Sequence, residues 1–229
     1  MKVLVLAGGE GSRLAPFTSI LPKALFPISG RPVSRIIIER LISFDLEDII
    51  LCINREYEKL FRHAFRDLDI QYSVSPSPQG SAGEVYYARQ FIDDDFLVVY
   101  SDDLTEIEYD AFIKFHNEHK SDVSLHITKE LLLDVGVVVT NKEGKLLSFK
   151  EKPPINVPIW TGTAIFKKEF IYYFKPNKDI ARDVFPALLK HGRKVYCYET
   201  DSLWLDIGSI SHYRRAKKIF EGEKWLKKH

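Results

Sequence analysis

MKVLVLAGGEGSRLAPFTSILPKALFPISGRP, residues 1–32, passes from an apolar strand into a glycine-rich loop, then an arginine, then a Pro-Lys pair. Val3 to Ala7 is short, uncharged and aliphatic, the pattern of a strand buried on both faces of a parallel sheet. A glycine loop directly after a first strand commonly holds phosphate. Residues with little or no side chain, here Ala7, Gly8, Gly9 and Gly11, let backbone N–H groups approach a base or phosphate closely. Arg13 adds a fixed fork of donors that suits a triphosphate, and Lys23, made rigid by Pro22, adds a point charge. The stretch between them, with Pro16 and Pro22, reads as a structured loop that folds over a ligand.

Two familiar phosphate loops do not fit. A dinucleotide fingerprint needs a third glycine where Leu14 stands, and an acidic residue at a strand end about twenty residues on, which is missing. A P-loop needs Gly-Lys-Ser/Thr; the Gly144-Lys145 pair is followed by Leu146 and lacks the upstream glycine.

Outward from this stretch, strands and helices alternate. Pro32 suits a helix start, with Ile37, Ile38, Leu41 and Ile42 on one face. Strands are expected at Ile49–Ile53, Ile70–Val74 and Phe96–Tyr100, with helices over Tyr57–Phe65 and from near Ser81. The second half adds strands at Val123–Ile127, Gly136–Thr140, Leu146–Phe149, Trp160–Phe166 and Lys194–Tyr198, and helices at Asp179–Lys190 and from Ser211 onward. This alternation predicts a Rossmann-like three-layer α/β/α sandwich around a mostly parallel mixed sheet. One catalytic domain over residues 1–229 is expected, its second half adding strands to the first.

Composition narrows the partners. Lys+Arg 33 against Asp+Glu 32 gives net charge +1, so no basic field attracts nucleic acid or an anionic membrane. The expected partners are small molecules, with a homo-oligomer left open. Nothing resembles a signal peptide or a membrane span, which makes a cytoplasmic protein the default. Cys52 and Cys197 sit in apolar runs and read as buried thiols in a reducing compartment. The 7 histidines show no ligand spacing, and His116 and His119 read as exposed on a helix. The lysines at 217, 218, 224, 227 and 228 read as a solvated helix face.

The motifs together resemble a known family. GGEGSRL (8–14) with PKALFPISGRP (22–32) is similar to the signature of the sugar-1-phosphate nucleotidyltransferases, or NDP-sugar pyrophosphorylases. Gln79-Gly80-Ser81-Ala82-Gly83 resembles that family's second nucleotide loop, and FLVVYSDDLT (96–105) its strand ending in Asn-Gly-Asp. FKEKP (149–153) resembles its Phe-x-Glu-Lys-Pro segment, and Leu205-Asp206-Ile207-Gly208 its late Trp-x-Asp-Ile-Gly motif, with Trp204 one place nearer the acid. The motifs occur in the expected order over nearly the whole chain.

The resemblance implies attack of a sugar-1-phosphate oxygen on the α-phosphorus of a nucleoside triphosphate, with pyrophosphate leaving. Positioning and charge neutralisation would carry such a reaction. Arg13 and Lys23 would be catalytic. Ala7, Gly8, Gly9, Gly11, Ser12, Gln79, Gly80 and Ser81 would bind nucleotide, and Glu151, Lys152, Thr161 and Gly162 the sugar phosphate. Asp102 and Asp206 would hold Mg²⁺, which favours oxygen ligands, with Asp103 an alternative to Asp102. Trp160 and Trp204 flank the sugar site or pack in the core.

Departures from the family pattern fall on the base and sugar pockets. Ser75 stands where pyrimidine-using relatives carry a base-reading glutamine, Tyr100 replaces the triplet's asparagine, and Trp160-Thr161-Gly162 replaces Asn-Ala-Gly. Gln79, beside the loop, is a candidate substitute for the missing glutamine. Two other readings stay open: a cytidylyltransferase for a phospho-alcohol such as phosphocholine or inositol phosphate, and a non-catalytic nucleotide-binding regulator. No hexapeptide repeat follows Asp206, so no C-terminal β-helix domain is expected.

Overall fold

Val3 and Val5 point into one apolar layer and Leu4 and Leu6 into another, so β1 (Lys2–Leu6) is covered on both faces. The structure is a computed structural model and describes residues 1–129, 131–132, 135–151, 154–155 and 157–222. After β1 come α1 (Val33–Ile42), β2 (Ile49–Asn54), α2 (Glu58–Ala64), β3 (Gln71–Ser75), α3 (Gly80–Ala88) and β4 (Phe96–Tyr100). The chain continues through β5 (Asp103–Thr105), α4 (Tyr109–Glu118), β6 (Val123–Thr128), β7 (Gly136–Thr140), β8 (Leu146–Glu151) and β9 (Ile159–Phe166). It then forms α5 (Phe185–Lys190), β10 (Val195–Thr200), β11 (Trp204–Asp206) and α6 (Ile210–Gly222).

Among the described residues seven strands form the central sheet, in the order β10-β6-β9-β4-β1-β2-β3. Only β9 runs against its neighbours β4 and β6; the other pairs are parallel. Helices α1, α2, α4 and α6 contribute to the core layer on the Val3 and Val5 side, and α3 and α5 to the layer on the Leu4 and Leu6 side. The expected three-layer sandwich with a mixed sheet is what forms. From β1 the chain builds outward through β2 and β3, then returns to β4 on the other side of β1. The crevice beyond the carboxyl ends of β1 and β4 is therefore a topological switch point, the place where open α/β sheets bind ligands.

Two expectations from sequence are corrected. Cys197 is exposed, because β10 is an edge strand, whereas Cys52 in β2 is buried as expected. His116 is buried, with its Nδ1 2.8 Å from Ser124 Oγ on β6, while His119 is exposed. Helix α4 turns His116 toward the sheet and leaves His119 outside.

Beside the sheet's second half lies a buried polar network centred on His126. Thr161 Oγ1 donates to the His126 carbonyl at 3.1 Å, so its one proton is committed and it accepts from His126 Nδ1–H at 2.8 Å. Nε2 is then the acceptor for Thr200 Oγ1 at 2.7 Å. Burial pushes the imidazole down to about 4 from its ordinary 6.5. An unfolded chain binds this proton near pH 6.5 and the folded chain only near 4, so the stability is intact above 6.5 and is lost as pH falls through that window. The urea midpoint of the unaltered chain is expected to drop between pH 6.5 and 4 by more than that of His126→Gln; equal drops would remove His126 from this role.

Candidate active site

The site is assembled by a short antiparallel ladder that places β11 against β5. Its register sets Asp206 opposite Asp103, Leu205 opposite Leu104 and Trp204 opposite Thr105. The Ile207 N–H donates to the Asp102 carbonyl at 3.1 Å and extends the join. Carboxylate oxygens of Asp102, Asp103 and Asp206 consequently lie within 4.8 Å of one another. Sequence left Asp102 and Asp103 as alternatives; the ladder brings both to Asp206.

Crowding three carboxyl groups away from water is costly. Burial raises Asp102 above the ordinary carboxylate range, opposed chiefly by Lys23. Asp103 is raised well above it, by burial first and by the neighbouring Asp102 charge second. Two cations named from sequence partly offset this charge. Lys23 Nζ pairs directly with Asp102 Oδ2, and Arg13 Nη1 lies 3.7 Å from Asp206 Oδ2. His212 Nδ1, on α6, is 3.8 Å from the same Asp206 oxygen, a neighbour the sequence reading did not single out. The Arg13 side chain is 70% exposed, so it can reach a ligand without breaking a buried contact.

Glycines fit these groups together. Gly162 lies at a β-bulge in β9 with φ +79°, and a Cβ there would collide with the Asp103 carboxylate. At Gly208 a Cβ would fall 2.6 Å from both Arg13 Nη2 and Asp206 Oδ1. Thr161 is fully buried in the His126 network, and its carbonyl accepts from Trp204 Nε1 at 3.2 Å. Trp160 Nε1 donates to the Thr163 carbonyl at 2.9 Å, and its ring packs edge-on against Tyr100 and Phe185. Both tryptophans are thus held by the strand carrying Gly162.

The remaining candidates are distributed unevenly. Gly9 and Ser12 are exposed at the crevice, and Gly11, with φ +62°, turns the loop against Thr18. The N–H groups of Ala7 and Gly8 are already taken by the protein: Ala7 donates to the Cys52 carbonyl at 2.8 Å and Gly8 to Glu84 Oε2 at 2.9 Å. In the second loop, Gln79 Nε2 donates to Ser77 Oγ at 2.9 Å. Gly80 packs on the Lys178 carbonyl, and Ser81 Oγ donates to Asp179 Oδ1 at 3.1 Å while accepting from the Ile180 N–H at 2.9 Å. Ser75 Oγ donates its one proton internally, to the Ser77 carbonyl at 2.9 Å, with the Ile53 carbonyl 3.3 Å away. Glu151 is exposed at the end of β8, and Lys152 lies outside the described residues.

Sequence reasoning passed over Glu84 and Asn54, which both grip Gly8 from buried positions. The available signal was a carboxyl within the apolar run Ala82-Gly83-Glu84-Val85 of α3.

Three oxygen-donor acids without a sulfur or imidazole ligand among them suit a hard divalent cation such as Mg²⁺. Gly162→Ala forces a Cβ into the Asp103 carboxylate at a left-handed position, with an expected cost of at least ~1–2 kcal/mol. Its melting temperature should fall, and the rise on adding Mg²⁺ expected of the unaltered chain should disappear; an unchanged Mg²⁺ response would separate Gly162 from the acids.

Residues 2–222 match the family described as Nucleotidyl transferase. The chain is 33% identical over 242 residues to a UTP–glucose-1-phosphate uridylyltransferase of Synechocystis sp., covering 94% of this chain and 62% of that protein. It is 32% identical over 222 residues to the mannose-1-phosphate guanylyltransferase catalytic subunit beta of Danio rerio, covering 91% and 61%. The chain thus spans about three-fifths of the length of these relatives. The crystal structure of HddC from Yersinia pseudotuberculosis complexed with GMP-PN superposes with a TM-score of 0.76 at 23% identity, covering 96% of this chain and 99% of that one, a likeness of fold.

Proposed function

This chain belongs to the nucleotidyl transferase family, and on that premise we propose that it transfers a nucleotidyl group from a nucleoside triphosphate to a sugar-1-phosphate, releasing pyrophosphate. The observation that carries the proposal is the meeting of Asp102, Asp103 and Asp206 with Lys23 and Arg13 beside a glycine loop at the sheet's switch point. Names of the relatives support the acceptor class, since one is a glucose-1-phosphate and the other a mannose-1-phosphate transferase. They differ in nucleotide, uridylyl against guanylyl, so the base is a question for experiment.

In this reading an oxygen of the sugar phosphate attacks the α-phosphorus as the bond to the departing pyrophosphate oxygen breaks. Two polyanions must meet, so the chain's main task is to hold them in line and offset their charge. Lys23 leaves Asp102 for the α-phosphate, and Arg13 turns from Asp206 toward the β- and γ-phosphates, where charge gathers on the leaving group. Asp102, Asp103 and Asp206 would hold Mg²⁺, which supplies charge neutralisation at phosphate oxygens. Thr161 and Gly162 shape the acceptor side of the site, with Glu151 and Lys152 the proposed contacts to the sugar phosphate. The proposed unit is one catalytic domain over residues 1–229. Among the described residues, no helix is long and apolar enough to cross a membrane.

Five nucleoside triphosphates assayed against sugar-1-phosphates and phospho-alcohols, with pyrophosphate release measured, test the reaction directly. Turnover of at least one triphosphate with a sugar-1-phosphate is the expected result. Turnover confined to CTP and a phospho-alcohol replaces the acceptor, and nucleotide binding without turnover points to a regulator. Asp102→Asn should abolish Mg²⁺-dependent release. Arg13→Ala should lower kcat by about 100-fold with a much smaller change in nucleotide affinity.

A further inference from the structure

Gly8, the first glycine after β1, is gripped at its N–H and at its carbonyl by buried side chains from two other elements. Its N–H donates to Glu84 Oε2 at 2.9 Å, and its carbonyl accepts from Asn54 Nδ2 at 3.2 Å. Glu84 belongs to α3 and Asn54 is the last residue of β2; they are 5% and 2% exposed. A Cβ on Gly8 would sit 3.2 Å from Glu84 Cδ and 3.3 Å from the backbone nitrogen of Asn54, so the glycine is what lets the loop lie this close to the Glu84 carboxyl and to the end of β2. Among the described residues Asn54 Oδ1 has no hydrogen-bond partner, so there the buried amide is spent on the Gly8 carbonyl alone.

A trans peptide is planar, with its C=O and the following N–H pointing in opposite directions. Drawing the Gly8 carbonyl inward to Asn54 therefore turns the Gly9 N–H outward. The surroundings agree: Gly8 is buried, Gly9 is exposed, and no atom of the described residues lies within 4 Å of where a Gly9 Cβ would be. Burying a carboxyl under a loop is expensive, and a packing role alone would be served by an apolar side chain.

We propose that Glu84 and Asn54 are a pair of positioning residues that fix the Gly8–Gly9 peptide so that the Gly9 N–H faces the nucleotide. The proposal deepens the reading of the crevice as a nucleotide site and rests on it. It links the two loops named from sequence, because Glu84 rides on the helix whose first turn carries Gly80 and Ser81. Burial pushes the Glu84 carboxyl up to about 8, against the pull of the Gly8 N–H. It is thus largely uncharged at neutral pH and adds little negative charge beneath a loop meant for phosphate. The ionisable groups acting with it are Lys23, Asp102, Tyr100 and Cys52. A neutral glutamine, which keeps the acceptor oxygen, should therefore stand in for Glu84, whereas alanine should not.

The full chain labelled with ¹⁵N at its 12 glycines gives the readout. Without ligand, the Gly8 amide should exchange slowly with solvent and the Gly9 amide fast. Titration with GTP, UTP, dTTP, CTP and ATP in turn, each with Mg²⁺, should move the Gly9 resonance with whichever is turned over. Glu84→Ala should lose the Gly8 protection and raise the KM for that triphosphate about tenfold or more, with kcat within about threefold; Glu84→Gln should restore both. If Glu84→Ala does not fold, Asn54→Ala releases only the carbonyl and should show the same KM rise. Wild-type KM in a folded Glu84→Ala or Asn54→Ala variant overturns the proposal, as does turnover that leaves the Gly9 amide unmoved. No triphosphate binding by the unaltered chain overturns the nucleotide reading itself, and this proposal with it.

Discussion

Mutual repulsion among Asp102, Asp103 and Asp206 is the constraint around which the rest of the molecule is arranged. Oxygens of the three lie within 4.8 Å of one another, and the buried Asp102 and Asp103 resist ionisation without positive charge beside them. Lys23 and Arg13 supply that charge from the loop after β1, while β5 and β11 supply the register that forces the acids together. Burying such a cluster carries a penalty that the apolar layers on both sides of the sheet have to offset. The acids are stable together only where the fold has already committed its cations to the same place.

The arrangement also explains why β9 runs the wrong way. Reversing one strand between β4 and β6 lets its bulge meet the end of β4. Gly162 then packs against Asp103, while Thr161 one residue earlier is anchored to His126 from the other side. The proposed acceptor side and the acidic group thus share a single piece of backbone. A change in either is transmitted through one bulge and not through a flexible loop.

Much of this was legible in the sequence, for physical reasons that differ by element. β1 and the glycine loop could be read because a fully buried strand and a side-chain-free turn leave unmistakable local patterns. Arg13, Lys23, Asp102 and Asp206 were legible as parts of ordered motifs, although their meeting was not. The β5–β11 ladder escaped because each strand is three residues long and exists only through its partner far away in the chain. The exposure of Cys197 is not legible, because apolar neighbours do not reveal that a strand lies at a sheet edge. The burial of His116 is not legible either, because which face of α4 looks inward depends on β6. Glu84 carries no signal of its role, because a lone acid in an apolar helix acquires meaning only from the backbone it meets.

Arg13 and Asp206 come from nearly opposite ends of the described chain, and Gly208 closes the gap between them. During synthesis β1 to β4 emerge, and can pair, long before β11 exists. Asp102 and Asp103 are then present without their third acid, and Arg13 has nothing to lean on. The acidic group is thus completed late, by a contact of very high sequence separation. A chain stalled or cut before β11 retains the glycine loop yet lacks the assembled acids, so the proposed chemistry is withheld from unfinished copies by topology alone.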